Sequence, residues 1–373
     1  MKFQSTSAPD SLMTKPTTDP TIDDYLRERL MPVEGAIPHI PGIEMFGNSI
    51  PAGTVGGDLF EYINFQQRYD IDARIQRAQR LSKEFLEPLP PGVLLRNLVD
   101  DQVRWLKTTP SYKPEMEGEY RFARSSEQVR VAEELRDLYS TAGALVVDAQ
   151  GHGSISAKIA STVHDTFHAL MLTELDRYGR ATPMLLENIN LRLALSVTAR
   201  NELGIIEKGD ARENATLIYG EVRPGGHFRF ANFGHPPPLV FSAEYRKFMN
   251  INESRMAQFL PLGLQIPADH PDYKKYYSVN LRQTEVDASD LGEITLLSPG
   301  DILVLYTDGV YDGSDQQGRE LLEAVMRDYY RQSARDICNA VLDHAIKRDE
   351  WLRQNGEADM IDDKTVLIIK RIS

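Results

Sequence analysis

The sequence predicts an α+β protein whose sheets are mainly antiparallel. Two observations carry this. Strand-like runs come in consecutive groups joined by Gly/Pro turns, and helical periodicities come in pairs. A doubly wound parallel sheet would instead alternate strand and helix one for one.

Residues 1–20 are rich in Ser, Thr and Pro and lack the apolar core of a signal peptide, so a disordered tail is expected there. Thr21 can cap a short helix through Met31, with Asp23 and Asp24 at its positive end and Pro32 as its stop. Ile43 to Phe60 reads as strand, glycine-rich turn and strand, centred on Val55-Gly56-Gly57-Asp58. Residues 66–140 change character. Ile71, Ile75, Ala78, Leu81 and Phe85 recur at helical spacing, as do Leu95, Leu98, Val99, Val103 and Leu106, then Ala132, Leu135, Leu138 and Tyr139. Pro88, Pro90 and Pro91 part the first stretch from the second, and Thr109-Pro110 ends the second. This charged helical block between strand-rich segments reads as an insertion. Arg77, Arg80 and Lys83 are interleaved with its apolar residues, the pattern of an amphipathic helix.

Ala144 to Asp148 reads as a buried strand, followed by the turn Gly151-His152-Gly153 and a helix from about Ser154 to Leu175. A second helix covers about Pro183 to Val197. Strands at 215–222 and 227–233 join at Pro224-Gly225-Gly226, a hairpin signal. Pro236-Pro237-Pro238 leads into a short strand, and residues 293–297 and 301–307 are expected to pair around Pro299-Gly300. Two helices follow over roughly 318–349, and Thr365 to Lys370 is the closing strand.

The chain has 373 residues, 41% hydrophobic and 26% charged, enough for one large domain or two smaller ones. Its net charge of −13 argues against nucleic acid and anionic membrane as partners, since both need a basic stripe. Acidity fits carboxylates gathered around cations and fits a solvated surface equally well. No apolar run is long enough to cross a bilayer. Cys338 is the single cysteine, which excludes an intrachain disulfide and a cysteine-rich zinc site. It reads as a packing residue in a helix, and a reducing, cytoplasmic setting is expected.

The residues that suggest chemistry are aspartates at strand ends. They are Asp58 in Val-Gly-Gly-Asp, Asp148 in Val-Val-Asp-Ala-Gln-Gly-His-Gly, Asp308 in Leu-Tyr-Thr-Asp-Gly-Val, and Asp362 with Asp363 in Ile-Asp-Asp-Lys-Thr-Val. A carboxylate there costs solvation unless it is exposed or paired. Oxygen donors without Cys or His suit hard cations such as Mg²⁺ or Mn²⁺. Any single Asp-Gly is well explained as a turn; the repetition of one chemistry at four strand ends is not.

These motifs resemble the SpoIIE/RsbU-type branch of the metal-dependent protein phosphatases (PPM), the protein phosphatase 2C-like superfamily. The likeness rests on Pro51-Ala52 with Val55 to Phe60; Asp148 to Gly153 before a helix; Ala215-Thr216-Leu217; Ala231 to Pro238; Pro261-Leu262-Gly263; Gly300-Asp301 to Asp308-Gly309; and Asp362 to Thr365, in family order. It implies an αββα sandwich of two mainly antiparallel sheets flanked by helices, formed by 21–65 and 141–373, with 66–140 as a helical insertion, regulatory or passive. It also implies two divalent cations, Mn²⁺ or Mg²⁺, shared by Asp58 and Asp148. The Ala149 carbonyl would be a further ligand, and Asp308 and Asp362 would hold one metal from the far side. Asp363 either ligates or orients Asp362. Asp312 matches a position that binds a further ion in some members, or is a solvated loop acid. His152 either protonates the leaving seryl oxygen or fixes the turn. His235 is expected to be structural.

The function implied is hydrolysis of phosphoserine or phosphothreonine in a protein substrate by a dinuclear-metal-bound hydroxide. A bacterial regulatory pathway is the implied setting, with an anti-sigma-factor antagonist as one substrate and a homodimer left open. The alternative is a signalling or binding module of the same fold without turnover. A two-metal nuclease is disfavoured by the charge. Cys338 cannot serve a thiol phosphatase, because Asn339 to Asp343 leads to His344 rather than to an arginine. His164 and His168 stand at i and i+4 on one helix face, a zinc-like pair, but no third ligand is apparent and a packed or solvated face is expected.

Overall fold

The computed structural model describes residues 37–86, 107–111, 113–151, 153–202, 214–251, 258–264, 291–311 and 316–373. The expected helix over 21–31, the periodicity of 95–106, His152 and Asp312 lie outside the described residues.

The first half of the chain supplies β1 (Ile43–Ile50), β2 (Asp58–Asn64), α1 (Phe65–Tyr69), α2 (Ile71–Leu86), α3 (Pro114–Asp137) and β3 (Ala142–Ala149). Next come α4 (Ser154–Tyr178), α5 (Pro183–Glu202), β4 (Ala215–Arg223), β5 (His227–Phe233), β6 (Leu239–Ser242), β7 (Lys247–Phe248) and β8 (Gln258–Phe259). The last part holds β9 (Gly292–Thr295), β10 (Ile302–Tyr306), α6 (Gln316–Tyr329), α7 (Ala334–Asn355) and β11 (Lys364–Arg371).

The strands form two sheets, ordered β1-β11-β10-β6-β7 and β2-β3-β4-β5-β8, with β9 also on β5. Among the described residues the pairings are antiparallel except β5 with β8. This is the expected α+β sandwich.

Side chains alternate across each strand, so each sheet has two buried faces. Phe60, Tyr62, Val146 and Ile218 point toward the other sheet and meet Leu303, Leu305, Leu367 and Ile369. Leu59, Ile63, Leu145 and Val147 point outward and pack on Val163, Phe167 and Met171 of α4 and Ile189 of α5. On the far side Ile302, Val304, Val366 and Ile368 pack on Ile337, Cys338, Val341 and Met326. The layers are helix, sheet, sheet, helix. Burying each large apolar side chain contributes about 1.5–3 kcal/mol. Cys338 is fully buried, as its helical setting implied.

The helical block does not stand apart from the core. Ile75 and Ala78 of α2 and Val131 and Leu135 of α3 belong to the same apolar cluster as Phe167 and Leu175 of α4. Arg77, Arg80 and Lys83 line the exposed side of α2, as the interleaving implied.

One pairing expectation fails. β9 joins β5 in one sheet, with Phe228 opposite Ile294, while β10 lies between β11 and β6 in the other. The Pro299-Gly300 segment therefore carries the chain between sheets instead of closing a hairpin. Arg371 ties this crossing, donating from Nη1 to the carbonyls of Leu296 (2.7 Å) and Leu297 (2.9 Å). Asp301 accepts the N–H of Ser298 and of Ala243, each at 2.9 Å. Two strands separated by a Pro-Gly turn look like a hairpin in one dimension. The ties to Arg371 and Ala243 join residues far apart in the chain and carry no local signal.

Candidate metal centre

Asp58 opens β2 and Asp148 is the penultimate residue of β3, and antiparallel register puts them directly opposite each other. Both share the strand face of Phe60 and Val146, which looks toward the second sheet. That sheet answers with two hydroxyls. Thr307, just after β10, and Thr365, near the start of β11, sit on the inward face by the same alternation. Their Oγ1 atoms donate to Asp58 Oδ2 at 2.7 and 2.8 Å.

Asp363 is buried and accepts the backbone N–H of Ala52 (2.7 Å) on one oxygen and of Gly57 (2.6 Å) on the other. It thereby pins the 51–57 turn to the entrance of β11. Its own N–H donates to Asp362 Oδ1 at 2.8 Å, while Asp362 itself is exposed. Lys364, almost fully buried, donates from Nζ to the Asp362 carbonyl and pairs with Asp349 of α7, both at 2.6 Å. Asp308 follows Thr307 and is exposed.

Glycine is required where backbone segments meet. A Cβ on Gly57 would lie 2.6 Å from the Ala149 carbonyl oxygen and 2.7 Å from Ser156 Cβ, and one on Gly309 would strike the Asp363 carbonyl. The Ala149 N–H in turn donates to the Gly57 carbonyl at 3.2 Å.

The electrostatics reflect this crowding. Burial, then the charge of Asp148, pushes the Asp58 carboxyl well above the usual range, against the pull of the two threonine hydroxyls. Burial, then Asp308, Asp362 and Asp363, raises Asp148 to about 7. Such a set is destabilised by its own charge and is relieved by a cation. An all-oxygen donor set fits hard dications such as Mg²⁺ or Mn²⁺. The aspartate oxygens do not close on one another; among the described residues no three of them lie within 4.8 Å.

His235 is buried and takes a structural position. Its N–H donates to Asn232 Oδ1 (2.8 Å), its carbonyl accepts from Asn232 Nδ2 (2.9 Å), and its Nδ1 lies 2.8 Å from Thr216 Oγ1. Burial lowers its pKa to about 3.

The family model described as Stage II sporulation protein E (SpoIIE) matches residues 140–279 and 292–372, more than half of the chain. The chain belongs to the SpoIIE family. The matched span holds Asp148, Asp308, Asp362 and Asp363; Asp58 precedes it. Among solved structures, the RsbU and RsbW domains of Rv1364c from Mycobacterium tuberculosis are 15% identical at a TM-score of 0.45, covering 91% of this chain and 64% of that one. The PP2C phosphatase domain with a regulatory fragment of SpoIIE from Bacillus subtilis is 14% identical at 0.40, covering 62% and 54%. The SiaA-PP2C domain of Pseudomonas aeruginosa is 15% identical at 0.43, covering 87% and 85%. The chain thus spans less than two thirds of the first two. A comparison with curated proteins found no match.

A second group of ligand-type atoms in this SpoIIE-family chain was only half visible in the sequence. Glu61 Oε2 lies 3.0 Å from His164 Nε2 and 2.6 Å from His168 Nε2, and the two Nε2 atoms are 3.1 Å apart. Burial works against ionisation of Glu61, but hydrogen bonds from both imidazoles outweigh it and hold the carboxyl at about 2. The available signal was Glu61 itself, an acid inside the otherwise buried run Leu59 to Ile63. The pairing of Thr307 and Thr365 with Asp58 had only a weak signal in the sequence: Thr307 precedes Asp308 and Thr365 stands two residues after Asp363, each in line with a strand's inward face.

Among the described residues, no helix is long and apolar enough to cross a membrane.

Proposed function

We propose that this SpoIIE-family chain is a metal-dependent protein serine/threonine phosphatase. The observation that carries the reading is the register pairing of Asp58 with Asp148 on the inter-sheet face, where burial and three further carboxylates raise Asp148. Asp58, Asp148, the Ala149 carbonyl, Asp308 and Asp362 are the proposed ligands of two Mn²⁺ or Mg²⁺ ions. Bound, such a pair neutralises phosphoryl oxygens and makes a water acidic enough to attack phosphorus in line.

The chain's own residues build the frame. Thr307 and Thr365 hold Asp58 Oδ2. Asp363, each of whose oxygens accepts a backbone N–H group, positions the 51–57 turn. Lys364 fixes the backbone of Asp362. The imidazole of His152 is the proposed proton source for the seryl oxygen, and Asp312 a ligand of a further ion; both lie outside the described residues.

The proposed substrate is a phosphorylated regulatory protein of a bacterial cytoplasm, of the anti-sigma-factor-antagonist kind. The test is p-nitrophenyl phosphate turnover with Mn²⁺ or Mg²⁺, wild type beside Asp308→Asn. Asp308 is exposed, so its substitution is expected to leave folding within about 0.5 kcal/mol of wild type while abolishing turnover. Folded wild type without metal-dependent turnover sinks the proposal and leaves a binding module.

A further inference from the structure

We propose that Glu61, His164 and His168 bind one first-row transition-metal dication of the Zn²⁺ class, at a site separate from the aspartate centre. Strand and helix periodicity bring them together. Glu61 stands three residues after Asp58 on β2 and so faces the opposite side of the sheet, with Leu59 and Ile63, toward α4. The separation along the strand is about 10 Å. His164 and His168 are one helical turn apart on α4, with ring centroids 4.5 Å apart.

The distances suit a metal. With bonds of about 2.0–2.1 Å, tetrahedral donors around Zn²⁺ stand about 3.3 Å apart. The three edges here are 2.6, 3.0 and 3.1 Å, so a small opening admits the ion. Two imidazole nitrogens and one carboxylate oxygen favour Zn²⁺, Co²⁺ or Ni²⁺ over Mg²⁺. The side chains remain 12–15% exposed, so an ion can enter and keep a water as fourth ligand. The nearby cation, Arg68, is 45% exposed and lies 3.7 Å from the other oxygen, Oε1, leaving Oε2 for the ion.

The surroundings also accommodate the metal-binding tautomer. Without an ion, Nε2–H groups on both rings would crowd two donors onto the single acceptor Oε2. His164 Nδ1 would then present a lone pair to Asp165 Oδ1, 3.6 Å away, and this buried nitrogen has no hydrogen-bond partner among the described residues. With an ion, both Nε2 lone pairs bind it and the protons move to Nδ1. There His164 faces a carboxylate, and His168 lies 2.6 Å from the Tyr69 hydroxyl of α1. Metal-ligating histidines characteristically hand their second N–H to such partners. The site would then tie β2, α4 and α1 to one another.

The test uses the full chain, stripped with a chelator and returned to excess Mg²⁺ to occupy the aspartates, then titrated with Co²⁺. Four- or five-coordinate Co²⁺ with nitrogen ligands absorbs far more strongly in the visible than six-coordinate, all-oxygen Co²⁺. One equivalent of the strong band is expected in wild type and in Asp148→Asn, and none in His164→Gln or His168→Gln. No band in wild type, or a band kept in His164→Gln and lost in Asp148→Asn, overturns the proposal. Should the histidine variants fail to fold, X-ray absorption on Zn²⁺-loaded wild type decides, with two imidazoles in the coordination shell expected and an all-oxygen shell refuting. The outcome is independent of phosphatase activity, so this site and the proposed function fail separately.

Discussion

His235 offers a test of how the Asn232-to-Pro238 loop is held. The perturbation is His235→Asn, which keeps a polar atom near the position of Nδ1 but removes the titratable ring. Burial depresses the folded-state pKa to about 3, whereas an unfolded histidine titrates near ~6.5. Between these values the unfolded chain binds more protons, so the contribution is fully present above pH 6.5 and is lost as pH falls toward 3. At pH 5 the deficit is about 1.5 pH units, or about 2 kcal/mol, and at pH 7 it is about 0.2 kcal/mol. Asp58 and Asp148, with raised pKa values, shift stability in the opposite sense on acidification, but they are common to both proteins and cancel in the comparison. The assay is urea denaturation at pH 7 and pH 5 in chelator. Wild type is expected to lose about 2 kcal/mol more than His235→Asn over that interval, whatever the variant's absolute stability. Parallel losses, within about 0.5 kcal/mol, would refute a neutral buried imidazole at this position.

Two further substitutions probe the frame of the aspartates. Lys364→Met leaves the buried Asp349 carboxylate without its 2.6 Å partner, and a loss of about 3–5 kcal/mol in urea denaturation is expected; wild-type stability would contradict the ion pair. Thr307→Val with Thr365→Val strips both hydroxyl donors from Asp58 Oδ2, and the Mn²⁺ or Mg²⁺ concentration for half-maximal p-nitrophenyl phosphate turnover should rise about 10–100-fold, an unchanged metal requirement counting against this role.

Much of the architecture was legible because it rests on local signals. The run Ala144 to Asp148 became the centre of β3, and Ser333, whose Oγ accepts the Asp336 N–H at 3.1 Å, starts the second of the two late helices. Pro224-Gly225-Gly226 does close a hairpin, with Arg223 opposite His227. Pro299-Gly300 carries a similar signal and does not. The difference lies in what surrounds it: Arg371 bonds to Leu296 and Leu297, Asp301 bonds to Ala243, and these ties hold β9 and β10 in separate sheets. A dipeptide can specify that the chain turns. Which sheet it then enters is decided by partners dozens of residues away.

The same limit separates the two groups of ligand-type residues. Asp58, Asp148, Asp308 and Asp362 announce themselves because each breaks an apolar strand end beside a distinctive motif, so type and position speak together. Glu61 sits inside a strand, and His164 and His168 inside a helix, where polar residues are ordinarily read as a solvated face. Period-two alternation already requires Glu61 to face away from Asp58, and the i, i+4 spacing already puts the histidines on one face. What neither rule contains is that the helix following β3 lies across β2 at that height. That placement follows from packing Leu59 and Ile63 against the same helix as Val163 and Phe167. The carboxylate is thus brought to the imidazoles by the apolar neighbours on either side of it, and a histidine pair with no third ligand apparent in sequence becomes a donor set only through the core between them.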